Sequence, residues 1–245
     1  KKFPEQTRDT WFGIEAEKKN WNDFQMENLK FFNSNLKRVE HFGGEPFHNT
    51  KVLEHTRMLV DMDYAKNIVL YFNTNGTHVP NAEYQELFKH FKLVEFNLSI
   101  DSIDSMFEYI RHPAKWSSLM KTVEWCNKQN NFIWGIVTTV STLNVWYLPE
   151  ILKTFDGWNK TNVFLNILEN PTYYNIKNIP PHVKEVIADK LKSDPRFKSI
   201  IAFMDSVKYD QKQWESFKFW TKQKDDYRNN NFQFTFPEYH SIINA

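Results

Sequence analysis

Five apolar runs, each followed by a stretch with helical spacing, constrain what this chain can fold into more than any other feature. Residues 36–42 read as extended and halt at Gly43-Gly44, and residues 67–73, 93–100, 132–140 and 162–168 repeat the pattern. Runs this apolar, with β-branched and aromatic residues at their centres, are expected of strands covered on both faces. Between them, Val52, Thr56 and Leu59, then Tyr84, Leu87, Phe88 and Phe91, then Trp116, Leu119, Met120, Val123 and Cys126, then Ile151, Leu152 and Phe155 recur at the intervals of helices. Asn49 or Thr50 can cap the first of these. Strict strand–helix alternation implies an α/β fold with a parallel sheet and right-handed crossovers, leaving an open doubly wound sheet or a closed or partial barrel. A length of 245 residues suits one domain of barrel size.

The alternation stops after Leu168. Asn170-Pro171-Thr172-Tyr173-Tyr174 and Ile179-Pro180-Pro181 punctuate a loop, and Val183, Val186, Ile187 and Leu191 predict a helix. Residues 197–206 and 211–227 predict two more, together a helical cap, and from Asn229 the chain reads as a loop with a short tail. The aromatic stretch Trp214, Phe217, Phe219 and Trp220 reads as a helix packed on the barrel bottom, or as a partner surface.

Ligands of parallel sheets bind beyond the carboxyl ends of the strands. Those ends carry Gly43-Gly44-Glu45-Pro46, Thr74-Asn75-Gly76-Thr77, Ser99-Ile100-Asp101 and residues 138–141, and half of the chain's 6 glycines fall at two of them. A carboxylate on a Gly-Gly turn, Glu45, suits an ammonium group, with Pro46 stiffening the turn; the alternative is a tight strand-to-helix turn and nothing more. His41, His48 and His55 recur every seven residues, but a strand histidine and a helix histidine at that spacing do not share one face. Asp61 with Asp63, and Asp225 with Asp226, read as solvated carboxylates.

Composition removes several classes of function. A net charge of +1 gives no footprint for nucleic acid. No run approaches the roughly 18 apolar residues of a membrane span, and no signal peptide opens the chain. The single cysteine, Cys126, excludes an internal disulfide and any site built from several thiolates of this chain, and fits a cytoplasmic protein. Sequons at Asn75, Asn97 and Asn159 do not argue for secretion, because Asn97 lies within an expected buried strand.

The succession His41-Phe42-Gly43-Gly44-Glu45-Pro46-Phe47, Asn73-Thr74-Asn75-Gly76-Thr77, Ser99-Ile100-Asp101 and Val140-Ser141 with Asn144 resembles the radical S-adenosylmethionine (radical SAM) superfamily. Tyr109-Ile110-Arg111 with Ala114-Lys115-Trp116, the run from Asn144-Val145-Trp146 through Glu150-Ile151-Leu152, and Tyr173-Tyr174-Asn175-Ile176-Lys177-Asn178-Ile179-Pro180 resemble its twitch-domain-containing members. The resemblance covers residues 20–240. It implies a partial (β/α)6 TIM-like barrel, residues 1–169, with a twitch-like helical region, residues 170–245. It also implies S-adenosylmethionine as cofactor, a [4Fe-4S] cluster, and reductive cleavage to a 5′-deoxyadenosyl radical that abstracts hydrogen from a peptide or small-metabolite substrate. A flavodoxin or ferredoxin would supply the electron.

Carried over by position, Gly43, Gly44, Glu45 and Pro46 match the motif that receives the methionyl amino group, and Ser99 and Asp101 match a polar pair near the ribose and methionyl carboxylate. Arg111 matches a helix arginine that pairs with that carboxylate. Asn75 and Thr138 are rim contacts, and Ser141 and Asn144 match a family pattern in which Asn144 is a cap or a contact. Asp226 and Arg228 match a tail pattern that contacts the barrel. No residue is assigned to the hydrogen abstraction itself.

The sequence departs from the superfamily at its CxxxCxxC loop, which is absent here, and residues 1–35 show no opening strand. Cys126, at an apolar helix position, reads as a structural thiol, so no residue of this chain is a metal ligand and the cluster belongs to the full-length protein only. Either the loop precedes Lys1 or the cluster has been lost. The chain alone is therefore expected to be inactive, an enzyme core in the first case and a non-catalytic S-adenosylmethionine-binding or interaction module in the second. An unrelated barrel enzyme using Glu45 and Asp101 as acid and base is a third reading.

Overall fold

Gly43 and Gly44 end the first strand. Both hold positive φ, 86° and 54°, a region that side chains with a Cβ enter only under strain. The strand β1 is accordingly confined to Arg38–His41, shorter than the extended run in the sequence. The computed structural model describes residues 36–158 and 160–244, and residues from Lys37 onward form one contact unit. Residues 1–35, in which the sequence shows no opening strand, and the sequon at Asn159 lie outside the described residues.

The alternation read from the sequence is present. After β1 come α1 (Thr50–Asp61), β2 (Val69–Thr74), α2 (Ala82–Phe88), β3 (Leu93–Ser99), α3 (Asp104–Ile110), α4 (Trp116–Asn127), β4 (Phe132–Val140), α5 (Leu148–Thr154) and β5 (Lys160–Ile167). The side chain of Asn49 accepts from Lys51 N at the start of α1, and that of Asn81 accepts from Tyr84 N at the start of α2. Helix α3 carries no such spacing signal in the sequence. It is short, begins at Asp104 with φ 46°, and buries only Phe107 and Tyr109, too few positions to reveal a helical period.

The five strands form one parallel sheet in the order β1-β2-β3-β4-β5. Sequential order decides between the two architectures the sequence left open. Every right-handed crossover advances in the same direction, so the crossover helices share one face, as in a barrel, whereas a doubly wound sheet reverses its order. The side chains agree. Leu70 and Phe72, Val94 and Phe96, and Trp134 and Ile136 are buried on the helix-covered face. Phe47 meets Phe72 at 5.0 Å and Phe96 meets Phe132 at 5.3 Å between ring centroids, and each buried phenylalanine stabilises the fold by roughly 1.5–3 kcal/mol.

The other face carries a polar network. Arg38 Nη1 donates to Glu95 Oε2 at 2.8 Å, Asn97 donates to the Tyr71 hydroxyl, and that hydroxyl donates to Asn73 Oδ1 at 3.1 Å. Asn97 is buried, as expected of a sequon residue inside a strand.

Beyond β5 lie α6 (Pro181–Leu191), α7 (Lys198–Met204) and α8 (Gln211–Arg228), in the positions the apolar spacing indicates. Their core is continuous with that of the sheet region: Val140, Leu148 and Ile151 belong to the same cluster as Ile176, Ile187, Phe217 and Tyr239. Two expectations change. The segment after Asn229 is helical, α9 (Phe232–Thr235) and α10 (Pro237–Ile243), because Asn231 accepts from Phe234 N, Pro237 opens the second helix, and Phe232, Phe236, Tyr239 and Ile243 are buried at helical intervals. The aromatic face of α8 packs on the loop after the carboxyl end of β5, not on the barrel bottom. Phe217 meets Tyr174 at 5.9 Å and Trp220 stacks on Tyr173 at 6.2 Å, with Phe219 exposed.

Candidate functional site

The carboxyl ends of β1, β2, β3 and β4 supply the rim. Glu45 follows the Gly43-Gly44 turn, and the buried Pro46 opens a single 3-10 turn, Pro46–His48, closed by a His48 N to Glu45 O bond of 3.1 Å. The Glu45 carboxylate lies against the end of β2: Oε1 accepts from the Thr74 hydroxyl at 2.7 Å and Oε2 from Asn75 N at 2.9 Å. Thr74 Oγ1 also accepts from Gly76 N at 3.1 Å, and Asn75 Oδ1 accepts from Thr77 N at 2.8 Å. A Cβ at Gly76 would come 2.7 Å from Leu119 and 3.1 Å from Leu98, and its φ is 67°, so this loop is built around a glycine. Among the described residues, no atom outside the adjoining chain stands within 4 Å of where a Cβ would be at Gly43 or Gly44, and the backbone there is open to approach.

At the end of β3, Asp101 is buried with both oxygens engaged. Oδ1 accepts from Thr139 N at 2.7 Å and Oδ2 from Arg111 Nε at 2.8 Å. This leaves the terminal nitrogens of the guanidinium for other acceptors, the arrangement that carboxylate recognition uses. Arg111 is the residue at which α3 ends. Asn144 is fully buried and does not cap the helical turn that follows it. Its Nδ2 donates to Asp101 O at 2.7 Å and Thr139 O at 2.9 Å, and its Oδ1 accepts from Ser141 N at 2.7 Å, which locks the ends of β3 and β4 together.

Asn75, Asp101 and Arg111 line one cavity of about 740 Å³ between residues 75–78 and 110–118, with Thr77, His78 and Lys115 on its walls, a size within the range of small-molecule sites. Glu45 is tied to this wall through Asn75. Ser99, half-buried at the end of β3, is not among the lining residues. Thr138 faces the interior: fully buried, it donates to Ile100 O at 2.7 Å. Lys115 donates to Glu108 at 2.7 Å, and this bond, with a second from Trp116 N, holds the Glu108 carboxyl below its ordinary range. Thr74 and the clamping role of Asn144 were not legible as such. Thr74 sits in the TNGT turn beside Asn75, the one signal pointing to it.

The histidines behave differently from their spacing. The rings of His41 and His55 meet edge-to-face at 5.2 Å, although one lies on a strand and the other on a helix, because α1 packs over the carboxyl end of β1. Their Nε2 atoms are buried without hydrogen-bond partners among the described residues, and burial pushes both rings down to about 4. Among the described residues no three His, Cys, Asp or Glu side chains are grouped to hold a metal ion, and no helix is long and apolar enough to cross a membrane. The Asp225–Asp226 pair is likewise split: Asp225 turns inward to the Tyr109 hydroxyl at 2.7 Å, while Asp226 stays on the exposed side, 3.8 Å from Lys222.

No protein-family model and no curated protein matches the chain. Among solved structures it is similar to Streptococcus suis SuiB bound to S-adenosylmethionine, with a TM-score of 0.50 and 11% identity, over 74% of this chain and 40% of SuiB. A second crystal structure of Streptococcus suis SuiB gives the same values. Native anSMEcpe with bound AdoMet has a TM-score of 0.49 and 17% identity, over 69% of this chain and 52% of that one. The chain thus spans about half or less of these proteins, and what it shares with SuiB is the fold.

Proposed function

We propose that this chain is the S-adenosylmethionine-binding core of a radical SAM protein. The observation that carries the reading is the meeting of Asn75, Asp101 and Arg111 in one cavity, with Glu45 bonded to its wall. These residue types fit the methionyl end of the cofactor, an ammonium beside a carboxylate. Glu45, held at both oxygens by Thr74 and Asn75, keeps lone pairs for an ammonium, and the open backbone of Gly43 and Gly44 gives it room. Arg111, held at Nε by Asp101, keeps two nitrogens for the carboxylate. Ser99, near the same strand end, serves the ribose side. SuiB, which shares the fold, binds S-adenosylmethionine.

An iron–sulfur cluster does not fit the residues of this chain. Its only thiol, Cys126, is buried on α4 and burial pushes it far up, away from the thiolate that binds iron. No reductive step is therefore assigned to the chain itself. Cleavage of the bound cofactor, a peptide or small-metabolite substrate, an electron donor of flavodoxin or ferredoxin type and a cytoplasmic location belong to the proposed whole protein. That single inert thiol is also what favours a second reading, a non-catalytic binding module.

Isothermal titration of the chain with S-adenosylmethionine tests the proposal. Binding should weaken by about tenfold or more in Glu45→Ala and in Arg111→Ala, at least 1.4 kcal/mol each. Equal affinity in wild type and Glu45→Ala refutes it.

A further inference from the structure

Arg111 is held from the strand side by Asp101, and a set of contacts from the far end of the chain reaches its near neighbour Tyr109. Tyr109, two positions earlier, is gripped at three points. Its hydroxyl donates to Asp225 Oδ1 at 2.7 Å, its backbone carbonyl accepts from Arg228 Nη1 at 3.3 Å, and its buried ring meets Phe236 edge-on at 5.1 Å. We propose that Asp225, through Tyr109, is a positioning residue for Arg111, so that the C-terminal helices set the geometry of the rim. This rests on the reading of Arg111 as the carboxylate-binding residue.

Asp225 is suited to the task because its two oxygens join three elements. While Oδ1 takes the Tyr109 hydroxyl of α3, Oδ2 accepts from Phe232 N at 2.7 Å, the first residue of α9, and Asp225 itself lies on α8. A charge-assisted bond of this kind is about twice as strong as a neutral one. Burial and the Asp225 charge both push the Tyr109 hydroxyl upward, so it remains a donor throughout the physiological range. Little slack separates Tyr109 from the Arg111 backbone, which carries the guanidinium: Arg111 N bonds to Phe107 O at 2.8 Å, and Ala114 N returns to Arg111 O at 2.9 Å. With the brace released, Asp101 alone would steer the arginine through the single Nε bond.

Two measurements on the full chain decide the matter. The first is hydrogen exchange at Arg111 Nε–H, followed by NMR, with the Asn144 side-chain amide as internal reference because it is anchored on the strands. In Tyr109→Phe, which keeps the ring, and in Asp225→Asn, which keeps the tyrosine, exchange at Arg111 should accelerate about fivefold while Asn144 is unchanged, the size of effect expected for coupled neighbours. Unchanged exchange at Arg111, or equal acceleration at both sites, overturns the proposal. The second is a double-mutant cycle on affinity for S-adenosylmethionine. Tyr109→Phe should weaken binding about fivefold in the wild-type background and by less than about 1.5-fold in Arg111→Ala. Equal losses in both backgrounds overturn the positioning role. If Arg111→Ala itself leaves binding intact, the functional reading of the rim fails, and the exchange measurement still decides the brace.

Discussion

At Gly135 the sheet has no room for a methyl group. A Cβ there would stand 2.9 Å from Asn162 O, a backbone atom of β5, and 2.9 Å from Asn97 Oδ1. Substitution by alanine would force strands apart or expel a buried amide, so Gly135→Ala is expected to lose about 1–3 kcal/mol of stability in urea denaturation. Wild-type stability would mean that β4 and β5 yield at this point. Gly43 and Gly44 are the opposite case, sterically open and required for their φ. The difference explains what could be read in advance. A glycine pair closing an apolar run announces a turn, whereas Gly135 inside the run of residues 132–140 is needed for a backbone carbonyl and a side chain that come from two other strands. The same holds for Asn144, whose partners Asp101 and Thr139 lie just beyond β3 and on β4.

Helix α1 and strand β1 meet through an unusual pair for an interior contact, His41 against His55, with His41 also stacked on Phe72 at 5.1 Å. Both rings are held neutral, at about 4 against an ordinary 6.5, by burial and, for His41, by its neighbour as well. The unfolded chain takes up two protons between pH 6.5 and 4 that the folded chain refuses. The contribution of the pair is thus complete above pH 6.5 and is lost as the pH falls to about 4. The melting temperature should drop by roughly 5 °C over that interval beyond the drop seen in a His41→Phe, His55→Phe double variant. Parallel pH profiles for the two proteins would show that the rings do not couple to folding. The spacing of the two histidines concealed this contact, since strand and helix periods say nothing of where a helix will lie across its strand. The terminal helices α9 and α10 were hidden for a related reason: each is too short for a period to appear, and capping by Asn231 with packing of Phe236 makes them helical.

For the molecule as a whole, the alternation of strand and helix was the part most legible in the sequence. Five apolar runs became five strands, and their sequential order gathers the glutamate, asparagine, aspartate and arginine of separate motifs onto one rim. The placement of α8 on the loop after β5 was not legible, because an amphipathic helix declares which face is apolar and not what that face will meet. Incubation with iron and sulfide under reducing, anaerobic conditions should yield no cluster absorbance, as one buried thiol cannot replace three thiolates. Appearance of a stoichiometric cluster would show that ligands other than cysteine serve. The isolation of Cys126 also has a practical side. It is 1% exposed and is the chain's only sulfhydryl, so the native protein is silent to maleimide, and each labelling event clocks one excursion that opens the packing between α4 and the sheet.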